Sequence, residues 1–427
     1  MSKHPQFNKA LEVGRPPNIK KLFPNSKALI VSGKIIDRAC LKKGNAMTIA
    51  ANGRNNIIIR GTLKAAQRAN AAILIEIAKS EGGASSYCAV NYWNMARQVD
   101  QIMNELGITV PVAIHADHYG IKKQEDLDSA KTEVPTMFEA GITSIAIDAS
   151  HMPDDDNLLA NLALYKSAVP RWAGYETEIG EIKGKDGLST KDEATFMIRG
   201  LNAHGIHPEW IALNNGTTHG IEATGGGIQI DLTAQIHEAI SRYNVSGAQH
   251  GTSGNNSDKL RDIASKTNTT KANVATALQM VSWGVEVNEF GNAILDKNKN
   301  FKKVGNKGIT DELWSEMVEY ADKQGWNGGN YKKLNLPFEN KINSLPKHIR
   351  DRSEKDVEEF VYNMLVNVFN AKDTANHGID SIMEANSYDL GQKSEKQENE
   401  SEWTESKIRE MAKSIESDKG PEGDFDD

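Results

Sequence analysis

Three histidines that each follow a short apolar run are the residues whose types and positions best support chemistry. His118, His219 and His250 lie in the segments PVAIHADHYG, WIALNNGTTHG and NVSGAQHGTSG. An apolar run is typical of a buried strand, and in parallel α/β proteins the strand ends meet at one rim of the sheet. Imidazoles at such a rim can hold a divalent metal and leave a position for a substrate oxygen. The pattern therefore predicts an open metal site.

A carboxylate beside the first histidine suits proton transfer. In the sequence HADH, strand alternation turns His115 and Asp117 to one side, while His118 lies where the strand passes into its loop. Asp117 is thus a candidate to exchange a proton with a substrate hydroxyl held at the metal. Two histidines near a strand end are more often hydrogen-bonded structural groups, but the matching His219 and His250 favour the functional interpretation.

Glycine follows two of the histidines, as Gly220 after His219 and Gly251 after His250. Glycine lets the backbone approach a ligand closely and turn its N–H groups toward an anion. The loop from Gly251 to Gly254, with Thr252 and Ser253 inside it, is a candidate for holding a phosphate or another oxyanion. Two tight turns after strands would explain the glycines but not the histidines.

Two further segments carry carboxylates. AIDASH contains Asp148, and YETEIGEIKG contains Glu176 and Glu178, which point the same way if the segment is a strand. The interior of a barrel is normally apolar, so inward carboxylates require a cation or hydrogen-bond partners. A solvated edge strand is the alternative interpretation.

Short apolar runs that alternate with amphipathic segments must position these groups. The predicted strands are 46–51, 72–77, 111–116, 143–148, 173–178, 210–214, 245–249 and 283–288. Strands alternating with helices predict βα units and a parallel sheet, and eight units predict a (β/α)8 TIM barrel. A doubly wound open sheet is the alternative, but it would concentrate the polar residues at one crossover rather than at many strand ends.

The predicted barrel, residues 45–300, is flanked by other segments. Residues 1–44 form an N-terminal segment, and 301–385 form a helical extension that packs on the barrel or on a second subunit. Charge and polarity dominate residues 386–427, which predicts a mostly disordered acidic tail with one short helix around 403–416.

Composition narrows the class of protein. The chain has 427 residues, a net charge of -8, two cysteines and a mean hydropathy of -0.54. Two cysteines cannot form a disulfide framework, which favours the cytoplasm. We expect no binding to nucleic acid and none to membranes, because the chain shows no strong basic stripe and no long apolar segment.

The motifs together resemble one family. HxDH, IDASHxPxxxN, ExEIG, NGxxHG, HGxSG and VxVN, with SEGGAS at 80–85, follow the order and spacing of the class II, metal-dependent fructose-bisphosphate aldolases. The resemblance covers about residues 45–290 and implies a (β/α)8 homo-oligomer, a dimer or larger. It implies reversible cleavage of a phosphorylated ketose, by default fructose 1,6-bisphosphate, into glycerone phosphate and glyceraldehyde 3-phosphate.

The resemblance also assigns site residues. Asp117 would exchange a proton with the C4 hydroxyl of the substrate. Zinc, or another divalent cation, would be held by His118, His219 and His250, with Asp148 and Glu178 near a second or monovalent cation. The substrate phosphate would contact Ser80, Gly220, Gly251 and Ser253, and the enediolate would contact Asn288.

Some positions depart from the family pattern. The last strand of the family usually reads lysine-x-asparagine-x-aspartate-threonine, but residues 286–291 read EVNEFG, so Phe290 and Gly291 replace the aspartate and threonine. The family's loop after ExELG carries a glutamate that takes a proton from dihydroxyacetone phosphate. EIKGKDG places Lys185 or Asp186 there, with Glu181 nearby.

These departures leave alternatives open. A different ketose phosphate, as in tagatose-bisphosphate aldolases, is one, and a metal-binding paralogue without catalysis is another. A metal-dependent hydrolase is disfavoured because its sites usually begin with HxH, which does not occur in this sequence. Lys347, Arg350 and Arg352 could reach a second phosphate, although a solvated basic turn is the favoured interpretation of that segment.

Overall fold

Eight parallel strands close into a barrel in the computed structural model, which describes residues 4–84, 86–180, 187–217, 227–252, 255–288, 291–297 and 300–415. The strands are β1 (Thr48–Asn52), β2 (Ile73–Ala78), β3 (Val112–Gly120), β4 (Ser144–Asp148), β5 (Gly174–Ile179), β6 (Trp210–Leu213), β7 (Ser246–Gln249) and β8 (Thr269–Val274). Each strand pairs with the next in the chain, and β8 pairs with β1. The predicted (β/α)8 barrel with a helical C-terminal extension is confirmed.

Helices precede the barrel, connect its strands and follow it. They are α1 (Phe7–Val13), α2 (Pro17–Leu22), α3 (Gly33–Lys43), α4 (Asn56–Ala69), α5 (Lys79–Gly82), α6 (Met95–Leu106), α7 (Gln124–Glu139), α8 (Asp154–Ala168), α9 (Lys191–Ala203), α10 (Ile230–Ala239), α11 (Ser257–Lys266), α12 (Thr276–Trp283), α13 (Asp311–Lys323), α14 (Asn335–Asn343), α15 (Lys347–Asn363), α16 (Thr374–Ala385) and α17 (Glu405–Ala412). Shorter helical turns are Ser241–Tyr243, Gly328–Leu334, Met364–Val368 and Glu400–Glu402.

The strands are buried on both faces, as helices on the outside of a parallel barrel require. Every residue of β2, ILIEIA, is buried, and so is every residue of β1. Side-chain caps set where several helices begin: Asn55 accepts from the Ile58 N–H at α4, and Thr190 accepts from the Glu193 N–H at α9. Such caps satisfy N–H groups that have no partner within the helix.

The N-terminal helices cover the base of the barrel. Gly33 begins α3 against Ser144, whose Oγ would lie 2.5 Å from a Cβ at that position, so only glycine permits this approach. Inside the base, Trp210 Nε1 donates to Thr270 Oγ1 at 2.8 Å, and Thr270 Oγ1 donates to Asp37 of α3 at 2.7 Å. The chemistry therefore belongs to the opposite rim, where the strands end.

The predicted eighth strand is wrong. Residues 283–288 are the end of α12 and part of an antiparallel segment with bridges Val285–Lys303 and Val287–Ala293. The true β8, TTKANV, reads as polar because Lys271 and Asn273 point into the barrel. Its side chains are held by ionic and hydrogen-bond partners, so hydrophobic periodicity does not detect the strand.

The chain after the barrel differs in part from the sequence prediction. Helix α15 packs on α4, as expected of a helical extension. Residues 386–415, in contrast, lie on the barrel: the Asn202 side chain accepts from the N–H groups of Gln397 and Glu398 at 2.8 and 3.0 Å, and Trp403 is buried. The acidic composition of this segment predicted disorder. Composition alone does not reveal the contacts that the segment makes with the barrel. Within the described residues, no helix is long and apolar enough to span a membrane.

Candidate active site

A cavity of about 610 Å³ opens at the carboxyl-terminal rim of the barrel. Strand ends and the loops after them supply its wall, and the lining residues include Asn52, Glu76, Ser80, Asp117, His118, His250, Gly251 and Asn273. Residues far apart in sequence meet there because parallel strands end at the same rim. Asp117, His118, His250, Ser80 and Gly251, all predicted from the sequence, are among these lining residues.

A bulge in β3 turns two consecutive side chains into the site. His118 has a φ of 41°, and the pairing of β3 with β4 shifts register between Ala116 and Tyr119. In regular strand geometry Asp117 and His118 would face opposite sides. The bulge at this left-handed residue aims both at the cavity, and backbone strain of this kind is typical of functional sites.

The rings of His118 and His250 lie side by side in the cavity wall, nearly perpendicular to each other, with their centroids 4.3 Å apart. His118 Nε2 lies 2.6 Å from His250 Nδ1. The far nitrogens are held by carboxylates: His250 Nε2 lies 2.8 Å from Glu176, and His118 Nδ1 lies 3.1 Å from Glu178 and 3.4 Å from Asp148.

This arrangement fits a cation. If the far nitrogens of His118 and His250 donate to carboxylates, both near nitrogens carry lone pairs, and two lone pairs at such a distance require a shared proton or a cation bound beside them. A carboxylate behind each ligating histidine is the usual support of a zinc-binding imidazole. Ligand atoms of Asp117, His118 and His250 lie within 4.8 Å of one another, so this donor set suits zinc or a similar ion.

The same histidine and carboxylate groups shift one another's pKa values. Although burial opposes it, Glu178 and Asp117 raise the pKa of His118 well above its ordinary value. Burial and the neighbouring Asp148 raise the pKa of Glu178 to about 8. Asp148 has a lowered pKa because, against its burial, it is bound by His118 and by Ser150. The predicted group of His118, Asp148 and Glu178 is therefore brought together.

A buried lysine lies at the centre of the barrel. Lys271 of β8 is fully buried, with its Nζ 2.8 Å from Glu176, 3.3 Å from Asp117 and 3.0 Å from His115 Nε2. Its ammonium also lies 3.4 Å from Glu76. The Lys271 ammonium lies among Glu76, His115 and Asp117, which are side chains of the kind that bind metals. It takes the position that a metal ion would need, so this group of residues already contains a cation.

Asp117 is kept ionised by its neighbours. Burial alone would raise its pKa, but Lys271 and His118 hold the pKa of Asp117 well below its ordinary value. Asn273 Nδ2 donates to Asp117 Oδ1 at 2.9 Å and fixes the direction of the carboxylate. An ionised, oriented carboxylate beside the histidine pair is ready to accept a proton from a ligand in the cavity.

Lys271 and Asn273 were missed by the sequence prediction, although a signal was present. Residues 271–276 read KANVAT, which follows the family pattern lysine-x-asparagine-x-aspartate-threonine with Ala275 in place of the aspartate. The predicted loss of that pattern at 286–291 is therefore a consequence of the wrong strand. Asn288 lies in the antiparallel segment and lines a separate cavity of about 280 Å³.

Other predicted residues have different outcomes. His219, Gly220 and Ser253 lie outside the described residues, as do residues 181–186 and Phe290. Lys347 pairs with Asp351 on the exposed face of α15, and Arg352 donates to the carbonyl oxygen of Gly308. Of the basic turn, Lys347 and Arg352 are thus engaged elsewhere.

Fold and site together describe a (β/α)8 barrel whose rim gathers His and Asp side chains that could hold a metal ion, beside a buried carboxylate. Comparisons with known proteins agree with this description. The family model for "Fructose-bisphosphate aldolase class-II" matches residues 33–325. A fructose-bisphosphate aldolase of Streptococcus pyogenes is 27% identical over 277 residues, which cover 64% of this chain and 85% of the relative. One from Streptococcus pneumoniae is 27% identical over 259 residues, covering 59% and 80%.

Solved structures share the fold. The YdjI aldolase of Escherichia coli superposes with a TM-score of 0.54 at 16% identity, covering 81% of this chain and 99% of that one. A fructose-bisphosphate aldolase of Campylobacter jejuni gives a TM-score of 0.53 at 17% identity, covering 81% and 97%. From the extent of the family match, the chain belongs to the class II fructose-bisphosphate aldolase family. It is accordingly an enzyme of the aldehyde-lyase class.

Proposed function

We propose that this enzyme is a zinc-dependent aldolase that cleaves a phosphorylated ketose reversibly, by default fructose 1,6-bisphosphate. The observation that carries the proposal is the ionised Asp117 beside the facing nitrogens of His118 and His250. A carboxylate that can take a hydroxyl proton, next to a place for a Lewis acid, is what a retro-aldol reaction requires. The default products are glycerone phosphate and glyceraldehyde 3-phosphate.

His118, His250 and, from its motif, His219 are the proposed ligands of the zinc. Zinc would supply a Lewis acid for the ketose carbonyl oxygen. With the metal bound, Asp148 and Glu178 would orient His118, and Glu176 would orient His250, so that each ring would present an unprotonated nitrogen. These two outer carboxylates, Asp148 and Glu178, are also the proposed neighbours of a second cation.

Asp117 is the proposed catalytic base in cleavage. It would accept the proton of the C4 hydroxyl while the C3–C4 bond breaks, so that C4 becomes an aldehyde carbon and the bonding electron pair passes to C3. In condensation the same carboxyl would return the proton to the C4 oxygen. Asn273 and Lys271 keep Asp117 in place, and Lys271 favours its ionised form before it accepts the proton.

Other contacts of the substrate remain proposals from the family resemblance. Ser80 and Gly251 both line the cavity, and Gly251 has a φ of 58°, a conformation that glycine adopts readily. Gly220 and Ser253 complete the proposed phosphate site. The group that exchanges the proton at C3 is expected in residues 181–186.

A ketose phosphate of another configuration is the second candidate. Ala275 stands where the family pattern has an aspartate, and it lines the cavity beside Thr276. A methyl group cannot accept hydrogen bonds from substrate hydroxyls, so preference among hydroxyl configurations should differ from the family default. A panel of ketose 1,6-bisphosphates and 1-phosphates would rank these substrates by kcat/KM.

The metal requirement has a direct test. We expect retro-aldol cleavage of fructose 1,6-bisphosphate to stop after dialysis against a chelator and to return with stoichiometric zinc. Cleavage that persists in metal-free protein would contradict the proposal. Bound zinc without turnover on any substrate of the panel would instead identify a metal-binding paralogue. A homo-oligomer working in the cytoplasm is the accompanying expectation.

Asp117→Asn tests the proposed base. The amide has the size of the carboxyl but cannot take the C4 proton, so kcat should fall by roughly 10²–10⁴-fold. Zinc content, measured by elemental analysis, should remain that of the wild type because the histidines are unchanged. Turnover equal to wild type would remove Asp117 from the mechanism.

A further inference from the structure

We propose that a second cavity, at the base of the barrel, binds a phosphate group, either free or as part of a small phosphorylated molecule. This base cavity has a volume of about 380 Å³ and is lined by Lys34, Tyr165, Lys166, Arg171, His207 and Asp389 among others. Its volume is within the range of small-molecule sites. The inference does not depend on the proposed aldolase reaction.

The base cavity lies at the opposite end of the strands from the proposed active site. Arg171 precedes β5, and His207 lies between α9 and β6, so both are at the amino-terminal ends of strands. Asp117 and His250 line the cavity at the carboxyl-terminal ends. A ligand in the base cavity would therefore not compete with a substrate for the proposed catalytic groups.

One wall of the base cavity comes from the C-terminal segment. Asp389 Oδ1 lies 3.0 Å from Lys34 Nζ, and Gln392 Nε2 donates to the Gly205 carbonyl oxygen at 3.1 Å. The family model matches residues 33–325, so this wall lies outside the matched part of the chain. The cavity is therefore a feature that the family match does not explain.

Cationic side chains outnumber carboxylates in the described lining of the base cavity. Lys34, Lys166 and Arg171 are cationic, and Asp389 supplies a carboxylate. The Arg171 side chain is exposed, and no carboxylate in the described part of the chain forms an ion pair with it. A guanidinium presents parallel N–H groups that match two oxygens of a phosphate. Arg171 is thus available to an anion.

Lys166 makes a weaker claim on the same anion. Its Nζ lies 3.0 Å from His204 Nδ1, a nitrogen that the Glu400 carboxylate also approaches at 3.2 Å. Lys166 therefore adds positive charge to the base cavity, part of which Glu400 offsets.

A buried ammonium and a hydroxyl complete the set of donors. Lys34 is 5% exposed, and its Nζ donates to the Arg171 carbonyl oxygen at 2.6 Å and to Asp389 at 3.0 Å. An ammonium has three N–H groups, so one remains for a ligand. The Tyr165 hydroxyl has no hydrogen-bond partner among the described residues, and its ring packs on Tyr175 with centroids 4.8 Å apart. Burial raises the pKa of Tyr165, so the hydroxyl keeps a proton to donate.

The loop that carries Arg171 is attached to α3. Lys34 binds the Arg171 carbonyl oxygen, and Ser32 Oγ donates to the Trp172 carbonyl oxygen at 2.6 Å. These contacts hold the main chain of Arg171 beside the Lys34 ammonium. Guanidinium, ammonium and hydroxyl donors around one cavity form the kind of set that binds a phosphate.

Arginine labelling with phenylglyoxal tests the site in the full-length, zinc-loaded enzyme. Mass spectrometry of the peptides measures the labelling rate of Arg171 itself, so phosphate bound at the active site does not enter the result. At a phosphate concentration about ten times Kd, the rate should fall about tenfold, because about a tenth of the sites stay empty. The exposed Arg97 on α6, which also lacks an ion pair among the described residues, should keep its rate at constant ionic strength.

Two tyrosine variants test the proposed donor set. In Tyr165→Phe the phosphate concentration that half-protects Arg171 should rise roughly tenfold, the cost of one hydrogen bond to a charged group. Tyr362→Phe is the matched control, because Tyr362 is also half-buried but lies on α15. It should keep the wild-type concentration.

Glycerol 3-phosphate, which has no carbonyl group for an aldolase to act on, is the second probe. Protection of Arg171 at a lower concentration than inorganic phosphate would support a phosphorylated organic ligand. Protection at an equal or higher concentration would support phosphate itself. If neither probe slows the labelling of Arg171 more than that of Arg97, the base cavity does not bind phosphate and the inference is wrong. Unchanged protection in Tyr165→Phe would also overturn the proposed site.

Discussion

Glu176 joins the two charged centres of the site at the scale of single residues. One of its carboxylate oxygens lies 2.8 Å from His250 Nε2, and the other lies 2.8 Å from Lys271 Nζ. The same side chain therefore sets the tautomer of a proposed metal ligand and neutralises the buried ammonium. Against its burial, Lys271 and His250 lower the pKa of Glu176 to about 2, so the carboxylate is ionised at neutral pH.

Glu176→Gln should weaken the metal site without removing a proposed ligand. The amide keeps the size of the side chain but loses the negative charge. That charge, next to His250 Nε2, makes His250 Nδ1 a stronger electron-pair donor to a metal. Zinc affinity should fall about 10- to 100-fold, the usual cost of losing a carboxylate behind a ligating histidine. Competition with a fluorescent zinc chelator measures it.

Glu209→Gln provides the matched control for Glu176→Gln. Glu209 is also buried, and its carboxylate accepts from the Tyr175 N–H at the opposite end of the sheet. Both variants remove one buried negative charge, but Glu209→Gln should leave zinc affinity unchanged. Equal affinities for wild type and Glu176→Gln would mean that Glu176 serves Lys271 alone.

At the scale of elements, a buried histidine lies where α10 packs on β7. His237 Nδ1 accepts from the Asn268 N–H at 3.1 Å, and Gly247 of β7 leaves the space that its ring occupies. Burial lowers the pKa of His237 to about 4, from 6.5 for an exposed histidine. Helix α10 thus packs on β7 through a neutral imidazole, which becomes charged only when it is protonated at low pH.

His237 should make the protein less stable as the pH falls from about 6.5 toward 4. In this window the unfolded chain binds the proton and the folded protein does not, so protonation stabilises the unfolded state relative to the folded state. At pH 4.5 the loss amounts to about 2–3 kcal/mol relative to pH 7.5, at about 1.4 kcal/mol per pKa unit. In His237→Gln the difference in unfolding free energy between these pH values should be smaller by that amount.

Urea unfolding at the two pH values measures the contribution of His237. The exposed His348→Gln on α15 serves as control, since both variants remove one imidazole. If His237→Gln and the wild type lose the same stability between pH 7.5 and 4.5, the α10–β7 contact does not hold a neutral histidine.

Sequence patterns predict elements well where burial alone selects the residues. The seven strands from β1 to β7 follow their apolar runs to within a few residues, because both faces of a parallel strand must be hydrophobic. β8 breaks this rule, since Lys271 and Asn273 replace apolar residues on its inner face. Periodicity therefore misses β8, which has no apolar run to mark it.

The site residues that belong to a sequence motif were predictable. The features that depend on backbone geometry or on contacts between distant residues were not. His118 and His250 were found from their positions after strands, and Asp117 from its place beside His118. The left-handed bulge that turns Asp117 and His118 together has no signal in HADH. Lys332 and Lys333 line the cavity, and the extension that carries them is attached to the barrel by contacts such as the hydrogen bond from Asn55 to Asn335. These two residues are 280 positions apart in the chain.

At the scale of the whole molecule, the C-terminal segment ties the end of the chain to the base of the barrel. Lys393 is inserted there with its Nζ 2.7 Å from Asp37, 2.7 Å from the Glu209 carbonyl oxygen and 3.0 Å from Ser246 Oγ. Asp37 belongs to α3, so one ammonium connects the N-terminal segment, the strands and the C-terminal segment. The proposed catalytic residues lie at the other end of the barrel.

Lys393→Ala should therefore destabilise the whole protein. Asp37 is fully buried, and among the described residues its charge would keep Arg38, at 3.2 Å, as its one ionic partner without the ammonium. Breaking a buried pair in this way costs about 3 kcal/mol.

Lys396→Ala, three residues further on, removes the same charge from an exposed pair with Glu400 and should cost about 0.5 kcal/mol or less. Urea unfolding at pH 7.5 distinguishes the two, and equal stabilities would mean that the segment is held by its other contacts. Since Lys393 lies at the base, kcat of the folded Lys393→Ala enzyme should equal that of the wild type.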